Sequence, residues 1–131
     1  MIPVNYLAVI AATVASFVVG MLWYGPLFGK TWQKLSGFKK KGHLSPAKSM
    51  SIGFVLGLVN AYVLALFASL LQITTLPGAL ALAFWLWLGF GMPMAAGAWI
   101  WEGKPFKLFF INAMHNIISL AIMACIVSLW I

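Results

Sequence analysis

A chain of 131 residues with 7% charged and 64% hydrophobic side chains and a mean hydropathy of +1.05 is excluded from water-soluble folds, which carry about 25% charged residues. Its formal net charge of +7 comes from eight basic residues against one acidic residue. All eight are lysines, and without arginine, the residue of phosphate and base forks, the charge does not point to nucleic acid.

A hydrocarbon core ~30 Å thick needs roughly 20 apolar residues in a helix, and four segments qualify, about 4–24, 50–73, 78–101 and 106–130. Residues 1–131 therefore read as a single four-span membrane domain, with too little chain left over to bury a second core. The first span has no basic leader and runs into Trp23-Tyr24-Gly25-Pro26 without a small-residue cleavage site, so it reads as a mature helix. Ala8, Ala12, Ser16 and Gly20 recur every fourth position along it. In lipid, where apolar side chains gain little by meeting each other, such a ridge allows close backbone contact.

The loop after this span holds Lys30, Lys34, Lys39, Lys40, Lys41 and Lys48. Leu27, Phe28, Trp32, Leu35 and Phe38 alternate there with Lys30, Gln33 and Lys34 at helical spacing, which predicts a short helix lying in the membrane interface. Lys39, Lys40 and Lys41 are candidates for anionic lipid headgroups, at ~1 kcal/mol per lysine. Ser45-Pro46 reads as an N-cap followed by proline at the first helical position. The second span then carries its own ridge, Gly53, Gly57, Ala61, Ala65 and Ser69, so the first two spans are expected to pack tightly.

Leu76-Pro77-Gly78 reads as a tight turn into the third span. Within that span Pro93 lacks the amide that would bond Gly89, which predicts a kink. Trp85 and Trp87, two apart, point to nearly opposite faces, one to the bundle and one to lipid or a second subunit. Lys104 and Lys107 follow, whereas the link between the second and third spans is uncharged. By the positive-inside rule both lysine-bearing gaps are cytoplasmic and both termini lie outside. Trp23, Tyr24, Trp32, Trp99 and Trp101 form an inner aromatic belt, with Tyr6 and Trp130 marking the outer one.

In the fourth span Asn112, His115, Asn116 and Ser119 sit at i, i+3, i+4 and i+7 and share one helical face. Counting 1.5 Å per residue, His115 lies ~12 Å past Lys107 and Asn60 ~14 Å past Ser51, a matching depth. With Ser16 and Pro93 they make a candidate polar layer near the midplane, and ionisable residues within spans often mark a site or pathway. A second reading is open: histidine and asparagine also glue helices, at roughly 0.6 to 2 kcal/mol per bond, and an Asn60–His115 bond would serve. No span contains an acidic partner for a proton carrier.

Cys125 is the only cysteine, so no intrachain disulfide forms and a small core role is expected. His43 in the loop and His115 in a span offer no recognisable metal spacing. Ser119 one turn after His115 lacks the third member of a catalytic constellation, so no enzyme and no cofactor are expected.

The segment Trp23-Tyr24-Gly25-Pro26-Leu27-Phe28-Gly29-Lys30-Thr31-Trp32, with Trp101-Glu102-Gly103-Lys104-Pro105-Phe106-Lys107-Leu108-Phe109-Phe110-Ile111-Asn112 opening the last span, resembles the bacterial membrane family called domain of unknown function 1761. The resemblance implies a small four-span protein of the inner bacterial membrane and carries no catalytic or binding residue with it. The resulting expectation is an all-α integral membrane four-helix bundle, noncatalytic, acting through association with itself, with a partner membrane protein or with lipid. The alternative is a small transporter or channel subunit with a polar site walled by Ser16, Asn60, Pro93, Asn112, His115 and Asn116.

Overall fold

A computed structural model describes residues 4–36 and 45–130, and every regular element among them is helical. They are α1 (Tyr6–Leu22), α2 (Gly29–Ser36), α3 (Pro46–Leu70), α4 (Leu76–Leu86), α5 (Met92–Ile100) and α6 (Phe106–Leu129). One π-helical turn, Trp23–Leu27, follows α1 and another, Trp87–Gly91, joins α4 to α5. Four stretches are long and apolar enough to cross a membrane: Tyr6–Leu27, Ala47–Leu70, Leu76–Ile100 and Phe106–Leu129. The all-α, four-span expectation therefore holds, and α2 supplies the short amphipathic helix between the first two spans. Lys39, Lys40, Lys41, Phe38 and His43 lie outside the described residues.

Three helix starts are set by side-chain caps that satisfy otherwise orphaned amides. Asn5 accepts from the Ala8 N–H at 3.2 Å, Ser45 from Lys48 at 3.3 Å and Thr75 from Gly78 at 3.2 Å. The Thr75 cap corrects the turn expected at Leu76-Pro77-Gly78: these residues already belong to α4, with proline in its first turn, where no amide is needed. The reversal lies just before them. There the Ile73 amide bonds Ala68 O at 2.9 Å and Gln72 bonds Ser69 O at 3.2 Å, with Gln72 at φ +54°. This is a helix stop that normally uses glycine, because a Cβ in the left-handed region costs roughly 1–2 kcal/mol. Gln72→Gly is accordingly expected to stabilise the detergent-solubilised protein by about 1 kcal/mol; a lowered thermal midpoint would contradict this.

The first π turn contains a proline, Pro26, and the second is followed two residues later by Pro93. Pro26 has no amide to return to Leu22, and the chain leaves the first turn with Phe28 N–H on Trp23 O, five residues back, at 2.8 Å. In the third span the disturbance expected from Pro93 takes the form of the turn at Trp87–Gly91, which ends with Met92 N–H on Trp87 O.

α6 is the central element and packs against α1, α3, α4 and α5. The core it shares with its neighbours is built largely from alanines, among them Ala12, Ala61, Ala65, Ala83 and Ala124, which lets the backbones approach closely. The two small-residue ridges do not face each other. Gly53 and Gly57 of α3 meet Phe17 and Thr13 of α1, where an added Cβ would stand 3.7 and 3.1 Å from their side chains. Ser16 and Gly20 of α1 instead meet Ser119 and His115 of α6. The first two spans do pack, but α1 offers α3 the residues one step around the helix from its ridge, because consecutive positions are about 100° apart.

Polar contacts fasten both ends. Asn5 Nδ2 donates to Trp130 O at 3.3 Å at one end. At the other, Lys104 Nζ donates to Ser36 O at 3.0 Å, which brings the two lysine-bearing gaps together at the same end of the bundle.

Candidate functional site

The polar face of α6 is presented to α1. Ser119 is buried with its hydroxyl 2.8 Å from that of Ser16. One and two turns closer to the lysine-bearing end, His115 packs beside Gly20 and Tyr24, and the Tyr24 hydroxyl donates to Asn112 Oδ1 at 2.6 Å. Backbone carbonyls of α6 are also used. The Trp23 indole donates to Ile111 O at 3.1 Å, and from the opposite flank Trp87 donates to Ala113 O at 2.8 Å. A tryptophan thus opens each π turn and pins it to α6, two residues apart. Trp85 is 65% exposed, so the pair divides between bundle and surface as the two-residue spacing predicts. Tyr24→Phe removes one interhelical bond and leaves the Asn112 carbonyl without its donor; it should cost roughly 0.6 to 2 kcal/mol in thermal unfolding.

His115 is held differently from its neighbours. Its ring lies 5.0 Å from Tyr24 and 6.3 Å from Trp23 between centroids. Nε2, however, is buried and has no hydrogen-bond partner among the described residues. The residue lines a half-open groove of about 470 Å³ between α1 and α3, together with Thr13, Ser16, Phe17, Gly20, Met21, Tyr24, Met50, Gly53 and Gly57, and Nε2 lies against Gly20, 3.6 Å from where a Cβ would stand. A neighbouring cleft shares Phe17, Tyr24 and Met50 and adds Trp32, Ser49 and Asn112, extending the groove toward the lysine-bearing end. The glycines create this space: with no Cβ at Gly20, Gly53 and Gly57, the two helices stay close while a channel of apolar surface remains between them.

Of the residues expected to converge, Ser16, Asn112, His115 and Ser119 do, whereas Asn116 lines neither cleft. Asn60 and Pro93 are on the exposed surface and line neither of these clefts. Ala61, one step around the helix, takes the core-facing position of α3. Tyr24, which the sequence marks only as part of the aromatic belt, touches both His115 and Asn112. Trp-x-Gly occurs on both π turns, at Trp23-Tyr24-Gly25 and Trp87-Leu88-Gly89, but also at Trp101-Glu102-Gly103 outside them, so the pattern alone does not mark the turns. No group of three or more histidine, cysteine or acidic side chains arranged to hold a metal is found among the described residues.

A family model described as "Protein of unknown function (DUF1761)" matches residues 7–128. No curated protein and no solved structure matches the chain.

Proposed function

From a chain that belongs to the DUF1761 family, whose function is unknown, we propose a noncatalytic membrane protein that takes up a lipid-phase molecule in the groove between its first two spans, with His115 as the polar anchor. One observation carries the reading. Ser119 and Asn112 are each matched by a hydroxyl of the first span, while His115 Nε2 is buried without a partner at the groove wall. An unmatched buried polar group costs about 1–3 kcal/mol, and in hydrocarbon no water relieves it. A bound molecule with one hydrogen-bonding group would recover that energy. The groove's volume falls within the ~300–1,000 Å³ typical of small-molecule sites, and exposed Met21 and Met50 at its edge leave an approach from the bilayer.

The noncatalytic part of the reading rests on Ser119: its hydroxyl is engaged with Ser16, so it does not form a nucleophile–base pair with His115 Nε2. Both small-residue ridges have partners inside the chain, so self-association would require another face. The positive-inside rule places the lysine-bearing end in the cytoplasm and both termini outside, as in an inner bacterial membrane.

Native mass spectrometry of the protein released from nanodiscs made with its host's own lipids tests this. A reproducible adduct other than phospholipid is expected on the wild type and should be lost in His115→Leu. An identical set of adducts on the two proteins would remove His115 from any site.

A further inference from the structure

At the end of the bundle away from the lysines, a second cleft of about 440 Å³ opens among the start of α1, the end of α3 and the end of α6. It lies 13 residues beyond His115 on α6, about 20 Å along the axis at 1.5 Å per residue, and its argument is independent of the groove described above. Asn5, Ser69, Gln72, Thr74 and Ser128 supply its polar wall, Ala65, Ala68 and Val127 its apolar one.

Ser128 is 1% exposed, and its Oγ has no hydrogen-bond partner among the described residues. That is unusual within this chain. A helical hydroxyl normally turns back to the carbonyl four residues earlier, as Thr13 does to Val9 O and Ser51 to Ala47 O, both at 2.8 Å. Ser128 makes no such bond and instead lines the cleft. The lining also includes Gln72, the non-glycine residue held at positive φ, so an amide side chain stands where an unstrained helix stop would have none. The volume is more than ten times the ~30 Å³ of a water in the liquid, which leaves room for a multi-atom polar group.

The lining also selects among amphiphiles. None of its residues is charged, and the bond from Lys104 Nζ to Ser36 O lies at the other end of the bundle. A phosphate would be desolvated here with no cation among the described lining residues to pair it, whereas a neutral head loses nothing of that kind. The cleft sits where the spans end, the depth at which a headgroup meets its chain, and Ala65, Ala68 and Val127 give it an apolar side.

We infer that this cleft binds the uncharged, hydroxyl-bearing head of a single-chain amphiphile of the monoacylglycerol class, with Ser128 Oγ bonded to the glycerol or ester oxygens and the chain lying over Ala65 and Ala68. The test uses the full chain in nanodiscs titrated with 1-monooleoylglycerol and, separately, with 1-oleoyl-lysophosphatidylglycerol, which has the same chain and an anionic head. Bound fractions are read by native mass spectrometry. The wild type should bind the neutral probe at least tenfold more tightly than the anionic one, and Ser128→Ala should lose about tenfold for the neutral probe alone. Because Ser128→Ala deletes an unmatched buried hydroxyl, its thermal midpoint without probe should equal or exceed the wild type's. Equal binding of the two probes would overturn the inference, as would unchanged affinity in Ser128→Ala. A lowered midpoint in that variant would do the same, by showing the hydroxyl to be paired within the protein.

Discussion

Alanine at Gly29 should destabilise the protein by about 3 kcal/mol, the upper end of what overpacking usually costs. Gly29 is buried where the chain leaves the first π turn and enters α2, and a Cβ there would stand 2.5 Å from the Tyr24 carbonyl oxygen and 3.1 Å from its carbon. That neighbour is backbone, so no rotamer change relieves the clash. Either α2 moves away or the π turn shifts, and a shift carries Tyr24 away from Asn112 and from the His115 ring. Thermal unfolding in detergent micelles reads the loss. If it runs through Tyr24, the double variant Gly29→Ala, Tyr24→Phe should be less destabilised than the sum of the two single changes. Strict additivity would mean that α2 yields and the site does not. A midpoint within a degree of the wild type would contradict the packing at this junction.

His115→Leu should act in opposite directions under two conditions. In protein stripped of lipid, replacing an imidazole whose Nε2 is unmatched by an apolar side chain of similar size should leave stability unchanged or raise it. In nanodiscs of native lipid the wild type should gain stability from its ligand, about 2.7 kcal/mol when the ligand is at a hundred times its dissociation constant, and the variant should gain none. Were His115 helix glue, the substitution would instead lower the midpoint in both settings by roughly 0.6 to 2 kcal/mol.

Much of the architecture is legible because it depends on length and hydropathy alone. Four apolar runs separated by lysine-bearing or uncharged gaps specify the spans, and Ser45-Pro46 marks the start of α3 through a cap that is local in the chain. The shared face of Asn112, His115 and Ser119 follows from helical periodicity, and so does the opposed placement of Trp85 and Trp87. What periodicity cannot supply is the rotation of one helix against another. Asn60 and His115 match in depth, but the angle of α3 about its axis is set by Gly53 and Gly57 seating on α1, and that angle leaves Asn60 on the surface. The same limitation hid the true facing of the first ridge, which lies against α6 and not α3. Tyr24 escaped notice for a related reason: an aromatic near a span end reads as an interface anchor, and its inward turn depends on the π-helical register of Trp23–Leu27, which shifts side chains off the regular 3.6-residue spacing. Ser128 carried no signal at all, since a serine in a span ordinarily bonds its own backbone.

The central claim is that His115 Nε2 is unengaged within the protein and available to a bound molecule. The most direct measurement is nitrogen-15 NMR of the imidazoles in histidine-labelled protein, first delipidated and then supplied with an extract of the host membrane. The chain has two histidines, so the His115 signals are those absent from His115→Leu. The account predicts that the His115 Nε2 resonance moves on addition of the extract. A His115 Nε2 that is already hydrogen-bonded in the delipidated protein and does not respond to the extract would contradict it.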